Sequence, residues 1–189
     1  MKKEALLAGL VVLSISLYGC GSKSEKPANA TAPQTNTQQQ AAQPKEDAGK
    51  EALVKYLEAV QPAQEANAEF VKQINDLNNN PEYDKLTDAQ KAEKLKTGLL
   101  PKAKEVQEKL KAITPDKELS AMHEKRIKMA DKNVIGVTEI ITAFESEDMA
   151  KIVAADDLLK EAQELNKQAN SELQDMTKKY NVDMSKKGN

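Results

Sequence analysis

The order of apolar and polar residues divides the chain into three unlike stretches. Positions 5–18 are almost wholly apolar and follow Lys2 and Lys3. Positions 21–45 contain no Val, Ile, Leu, Met or aromatic residue. From Glu46 onward apolar residues return every third or fourth position, the period of a helix with one buried face.

Four helices are predicted in this last stretch. The first, over about 48–78, has an inward stripe of Leu53, Leu57, Val60, Gln64, Asn67, Val71 and Ile74, and Asn79, Asn80 and Pro81 end it. Thr87-Asp88-Ala89-Gln90 has the form of a capping box, which starts a second helix near 88. Its stripe of Ala92, Leu95, Leu99, Ala103, Val106, Leu110 and Ile113 keeps phase across Gly98 and Pro101, so one kinked helix is expected. Thr114 as N-cap with Pro115 at the first helical position predicts a third helix, ending near 145. After a corner at 146–148 a fourth runs to about 180, with Ile152, Ala155, Leu159, Ala162, Asn166, Ala169 and Leu173 inward. Tyr83 and Leu86 are expected to close one end of the core. Short connections force antiparallel neighbours. The expected fold class is therefore all-α, an antiparallel up-down-up-down four-helix bundle after a disordered tether. Glu51–Lys55, Glu105–Lys109, Glu124–Lys128 and Glu147–Lys151 are spaced for outward i,i+4 ion pairs.

Composition narrows the function more than it names it. Of 189 residues 31% are charged and only 3% aromatic, and seven Gly and seven Pro are few for a β-sandwich of this size. A formal charge of −2 gives no basis for binding nucleic acid. The single Cys excludes an internal disulfide, a CxxC pair and a cysteine-built zinc site, and the single His excludes a His₂ or His₃ metal site within one chain.

The first apolar run is too short for a membrane-spanning helix of ~20 residues. It ends Leu17-Tyr18-Gly19-Cys20-Gly21-Ser22. This ending resembles the lipobox of bacterial lipoproteins. The resemblance implies that diacylglycerol, the palmitate-type anchor, is attached to the Cys20 thiol and that the chain is cleaved before it. The layout it implies is a signal peptide over 1–19, a lipidated Cys and disordered polar tether over 20–45, and a helical body over 46–189. The whole resembles the small helical lipoproteins of Gram-positive bacteria, which places it on the extracytoplasmic face of the cell membrane. In 21–45 the composition cannot bury enough apolar surface to offset ordering entropy. That segment carries Lys23, Lys26 and Lys45 against Glu25, a weakly basic tether below an acidic body.

The body offers little reactive chemistry. His123 has no Glu three residues before it and no second His, so the di-iron bundle pattern is missing. It is read as a boundary histidine satisfied by a carboxylate or a carbonyl. There is no Gly-x-Ser-x-Gly elbow and no Gly-rich phosphate loop. The carboxylates fall on solvent faces, and the Met residues read as core filler. More informative are polar residues inside the apolar stripes: Gln64 and Asn67, Asn133 beside Arg126, and Asn166. They are expected to form a polar layer at mid-height, which either fixes helix register or lines a small polar cavity. The expected function is non-enzymatic, without cofactor or metal: a lipid-anchored protein that contacts the membrane through Cys20 and an unidentified protein or cell-wall partner above it. The alternative is a lipoprotein that binds a small polar ligand in the mid-bundle layer.

Overall fold

The computed structural model describes residues 43–183. Its elements are α1 (Gln43–Asn78), α2 (Pro81–Asp84), α3 (Asp88–Lys94), a π-helical turn (Leu95–Leu99), α4 (Leu100–Lys111), α5 (Ser120–Ser146) and α6 (Met149–Lys179). The described residues are all-helical, with no strand. The lipobox residues and most of the expected tether lie outside them.

Local chemistry accounts for most boundaries. Among the described residues α1 is already helical at Gln43, ahead of the expected start near 48. At its other end the Asn80 side chain accepts from the Glu82 N–H at 3.0 Å and starts the single turn α2. The capping box at Thr87 forms as expected. Its hydroxyl accepts from the Gln90 N–H at 3.3 Å, and the Gln90 side chain accepts from the Thr87 N–H at 3.0 Å.

The expected kinked second helix is a continuous helical path through α3, the π turn and α4. Pro101 has no N–H, and in an uninterrupted α-helix its ring would strike the carbonyl one turn back. The chain widens there: the Leu100 N–H reaches Leu95 O, five residues back, so the break is absorbed without losing the path.

The third helix starts later than the Thr114-Pro115 pair predicts. Asp116 organises the approach to α5. Its carboxylate accepts from the Glu118 N–H at 3.1 Å, and its carbonyl accepts from the Leu119 N–H at 2.9 Å and from the Ser120 hydroxyl at 3.1 Å. An Asx turn at Asp116 thus displaces the cap at Thr114, and α5 begins at Ser120. The corner before α6 uses Glu147 at φ 54° and Asp148, whose carboxylate caps the Ala150 N–H at 3.1 Å.

The most extensive packing is between α5 and α6; α4 packs on both α1 and α5, and α3 on α5. Contacts between successive segments run in opposite chain order. Lys102 meets Glu69 at 2.7 Å while Gly98 faces Gln73. Lys111 meets Asp131 at 2.8 Å while Lys96 meets Glu145 at 3.5 Å. Lys125 pairs with Glu172, and Lys132 with Glu161. These pairs are exposed enough for water and salt to screen them, so they fix orientation more than they add stability. Of the outward i,i+4 pairs, Glu51–Lys55 and Glu105–Lys109 form, whereas Glu124–Lys128 and Glu147–Lys151 do not reach ion-pair distance.

The core does more. Leu53, Val60 and Ile74 of α1, Leu95, Leu99 and Val106 of the second path, Met122 and Val137 of α5, and Ile152, Ala155 and Leu173 of α6 belong to one buried apolar cluster. Each fully buried Val, Leu, Ile or Met contributes about 1.5–3 kcal/mol relative to exposure. Tyr83, 2% exposed, and half-buried Leu86 lie beside the helix ends, as the sequence suggests.

Two glycines test this packing in opposite directions. A Cβ on Gly49 would overlap the Tyr180 ring, which is buried and pinned through its hydroxyl to Glu118. Gly49→Ala is expected to lower unfolding free energy by about 1–3 kcal/mol in urea titrations. At Gly98 the nearest atom is the amide tip of the Gln73 side chain, which can swing aside. Gly98→Ala is expected to raise stability by about 0.5–1 kcal/mol.

Candidate functional site

The polar residues singled out from the stripes take different positions. Gln64 is exposed, while Asn67, Asn133 and Asn166 are half-buried. The inner face of α1 passes through Val60, Ala63, Ala66 and Phe70, a spacing that turns Gln64 toward solvent. Asn166 Oδ1 accepts from Asn170 Nδ2 at 3.4 Å, and Asn170 Oδ1 accepts from Arg126 Nη2 at 3.0 Å. Gln64, Asn67 and Asn133 make no side-chain hydrogen bond to this chain of groups. Cys20 lies outside the described residues.

The buried polar groups converge higher in the core. His123, expected at the boundary of the core, is buried at 2% exposure and joins α1 and α4 to its own helix, α5. One ring nitrogen, Nε2, lies 3.1 Å from Leu110 O of α4, and the other, Nδ1, lies 3.1 Å from the Tyr56 hydroxyl of α1. A carbonyl can only accept, so Nε2 carries the hydrogen, and Tyr56 donates to the lone pair on Nδ1. The two rings meet edge-on, with centroids 5.6 Å apart and planes at 87°. Burial lowers the His123 pKa below its ordinary value, and the nearby Arg126 charge lowers it further, against the opposing pull of the Leu110 carbonyl. Burial likewise raises the Tyr56 pKa, so the phenol stays protonated. Both imidazole nitrogens are committed inside the protein, which leaves no lone pair to take a proton from a substrate.

Tyr56 also lines the nearby surface groove, a cavity of about 550 Å³ between the first turns of α1 and the segment 113–116. Glu51, Lys55, Thr114 and Asp116 contribute its polar walls, and Ile113 and Ala52 its apolar ones. Glu51 and Lys55 neutralise one another at 2.6 Å. The groove lies at one end of the helices, away from the asparagines expected to line a cavity. Among the described residues no group of three His, Cys, Asp or Glu is placed to hold a metal ion.

Two partners escaped the sequence pattern. Tyr56 sits on the flank of the α1 stripe, where a hydroxyl is invisible to periodicity, and Asn170 lies one turn beyond Asn166, just off the expected line. A search for polar residues one turn from His123, Arg126 and Asn166 on facing helices would have raised both. No protein-family model, curated protein or solved structure matches the chain significantly.

The depressed His123 pKa fixes the sign of a pH effect. The group is more easily protonated in the unfolded chain, so the stability it contributes is complete above its unfolded pKa and is lost as pH falls through its folded pKa. Wild-type stability is expected to fall between pH 7 and pH 5 more steeply than that of His123→Gln, which can still donate to Leu110 O. Parallel urea titrations across that range check the difference.

Proposed function

We propose that the chain is a lipid-anchored protein of the extracytoplasmic membrane face, with a non-enzymatic role: holding a helical body against another protein or the cell wall. The observation that carries this reading is Leu17-Tyr18-Gly19-Cys20, placed behind a short apolar run and ahead of a polar stretch without large apolar residues. In this reading residues 1–19 are removed, Cys20 carries the acyl chains and the polar stretch between it and α1 is the tether. Acyl chains contribute about 0.8 kcal/mol per buried CH₂, and two of them anchor stably without a spanning helix. No helix of the described residues is long and apolar enough to cross a membrane, which agrees with an anchor elsewhere.

The four long helical paths are proposed to close as an antiparallel up-down-up-down bundle. The opposite chain order of contacts between successive paths supports this, as does the approach of Gly49 in α1 to Tyr180 just beyond α6. Such a body presents paired charges over an apolar interior, a surface suited to polar contact with a protein or cell-wall partner. The whole layout, a signal peptide, Gly-Cys-Gly-Ser, a polar tether and a helical body, resembles small helical lipoproteins of Gram-positive bacteria and points to such a host.

Cys20→Ala is expected to move the protein from the membrane fraction to secreted or unprocessed forms, and to abolish the mass increment of a diacylglyceryl group on the N-terminal peptide. Detergent-dependent membrane retention of that variant would overturn the proposal. Pull-down from crosslinked membranes identifies the partner.

A further inference from the structure

The groove beside Tyr56 has room for a guest and a polarity of its own. Its volume is about 550 Å³, and Ala52, Ile113 and Pro115 give it an apolar lining. Of its three charged groups, Glu51 and Lys55 neutralise one another at 2.6 Å. Asp116 is left over. Its carboxylate accepts from the Glu118 N–H at 3.1 Å, and it forms no ion pair among the described residues. Glu118 itself is taken by the Tyr180 hydroxyl and by Lys179. The groove therefore suits an apolar side chain with a cation close behind it.

The chain brings such a sequence to this place. α6 ends at Tyr180, and Asn181 turns left-handed at φ 48°. The Val182 N–H then reaches back to Thr177 O at 2.9 Å, and the half-buried Val182 packs on the core. This turn stops the helix and delivers the chain to the end of the body where Tyr180 meets Gly49 and Glu118. Met184-Ser185-Lys186-Lys187 follows, beyond the described residues. Met184 is apolar and unbranched, a shape that fills irregular gaps, and the two lysines stand close behind it. Asp116 is two residues from Glu118, a step of at most about 7 Å, whereas four residues of extended chain span about 13–14 Å. The segment is long enough to cross from Tyr180 to the groove. A tie is also missing there: α1 packs chiefly on α4, and α6 on α5, so Tyr180 alone joins the start of α1 to the end of α6.

We propose that residues 184–187 cross the end of the body and dock in this groove. The Met184 side chain lies against Ala52, Ile113 and Pro115, and the ammonium groups of Lys186 and Lys187 face Asp116. The segment then straps the end of α6 to the first turns of α1, beside Tyr180. Burial of Met184 supplies the attraction, and the charge opposite Asp116 sets the direction in which the segment lies.

The test uses the full chain in a non-ionic detergent at neutral pH, with photoreactive p-benzoylphenylalanine in place of Met184. Heavy-isotope-labelled and unlabelled copies are mixed equally, irradiated and mapped by mass spectrometry. The expected product is a cross-link within one copy, to peptides that contain residues 48–59 or 113–116. Its yield is expected to fall severalfold in Asp116→Asn, which keeps the oxygen that accepts from the Glu118 N–H but loses the charge. It is expected to fall likewise when Lys186→Glu and Lys187→Glu are combined. The proposal is overturned by cross-links confined to other parts of the body, by a product that joins a labelled to an unlabelled copy, or by a yield that either variant leaves unchanged. If Asp116→Asn fails to fold, the lysine variant decides, since its substitutions lie outside the packed helices.

Discussion

How closely α5 and α6 approach governs the rest of the body. Ala130, Gly136 and Ala143 on α5, and Ala155, Ala162 and Ala169 on α6, are buried residues with almost no side chain. At Gly136 a Cβ would already lie 2.9 Å from the Leu159 side chain. Small residues at a helix contact let the backbones come near and gain dispersion contacts along their length. The same nearness brings Arg126 to Asn170, Lys125 to Glu172 and Lys132 to Glu161 across the seam. Large side chains at the alanine positions would push α6 outward and separate all three pairs. α5 is also the helix on which α3 and α4 pack, so its position relative to α6 is inherited by the other elements.

Polar groups then fix what apolar packing leaves free. Leucine and valine tolerate sliding along a helix, because neighbouring turns look alike to them. Tyr56, His123 and Leu110 O do not, since each hydrogen bond has one geometry. A shift of α1 by one turn, about 5.4 Å, would strand a buried hydroxyl and an imidazole lone pair. A typical hydrogen bond contributes only about 0.5–1.5 kcal/mol net, whereas a stranded buried partner costs about 1–3 kcal/mol. That asymmetry makes such groups better at excluding wrong registers than at adding stability. The His123 cluster serves this purpose between α1, α4 and α5, and Arg126–Asn170 between α5 and α6.

Features governed by period and by a single cap were legible from the residues alone. The stripes of α4 and α6, the capping box at Thr87, the end of α1 and the tight corner at 146–148 each follow from interactions within a turn or two of chain. Three features were not legible for identifiable reasons. The start of α5 hinged on a competition between Thr114 and Asp116, both good hydrogen-bonding residues at helix starts, and the longer Asx turn prevailed. The break at Pro101 could be met by a kink or by a π turn, and the pattern along one helix does not say which. Gln64 and Asn67 both sit near the edge of the α1 stripe. Only the packed neighbours decide which of two residues three apart turns outward, and here the small Ala63 and Ala66 take the inner line. For the candidate site, a carbonyl partner for His123 was expected and Leu110 O is one, but Tyr56 was not foreseen, because a tyrosine on an apolar stripe looks like any other large core residue.

The two ends of the helices are built differently, and the difference bears on how a tethered body would carry load. At one end Tyr83 and Phe144 are buried with the Lys91 ammonium 6.0 and 5.7 Å from their rings, a closure of apolar surface and diffuse attraction. At the other, the Tyr180 ring lies against Gly49, and its hydroxyl donates to Glu118, which also draws Lys179 to 3.5 Å. This single residue therefore joins the start of α1, the end of α6 and the turn that leads into α5. In the lipid-anchored reading the chain from Cys20 enters the body here, through α1. A pull along α1 would be met by Tyr180 and Glu118 within the first turns, before it reached the His123 cluster two turns further in. In that reading the end that takes the load is the one where Tyr180 joins three elements, while the far end is closed by buried rings and the looser Lys96–Glu145 pair at 3.5 Å.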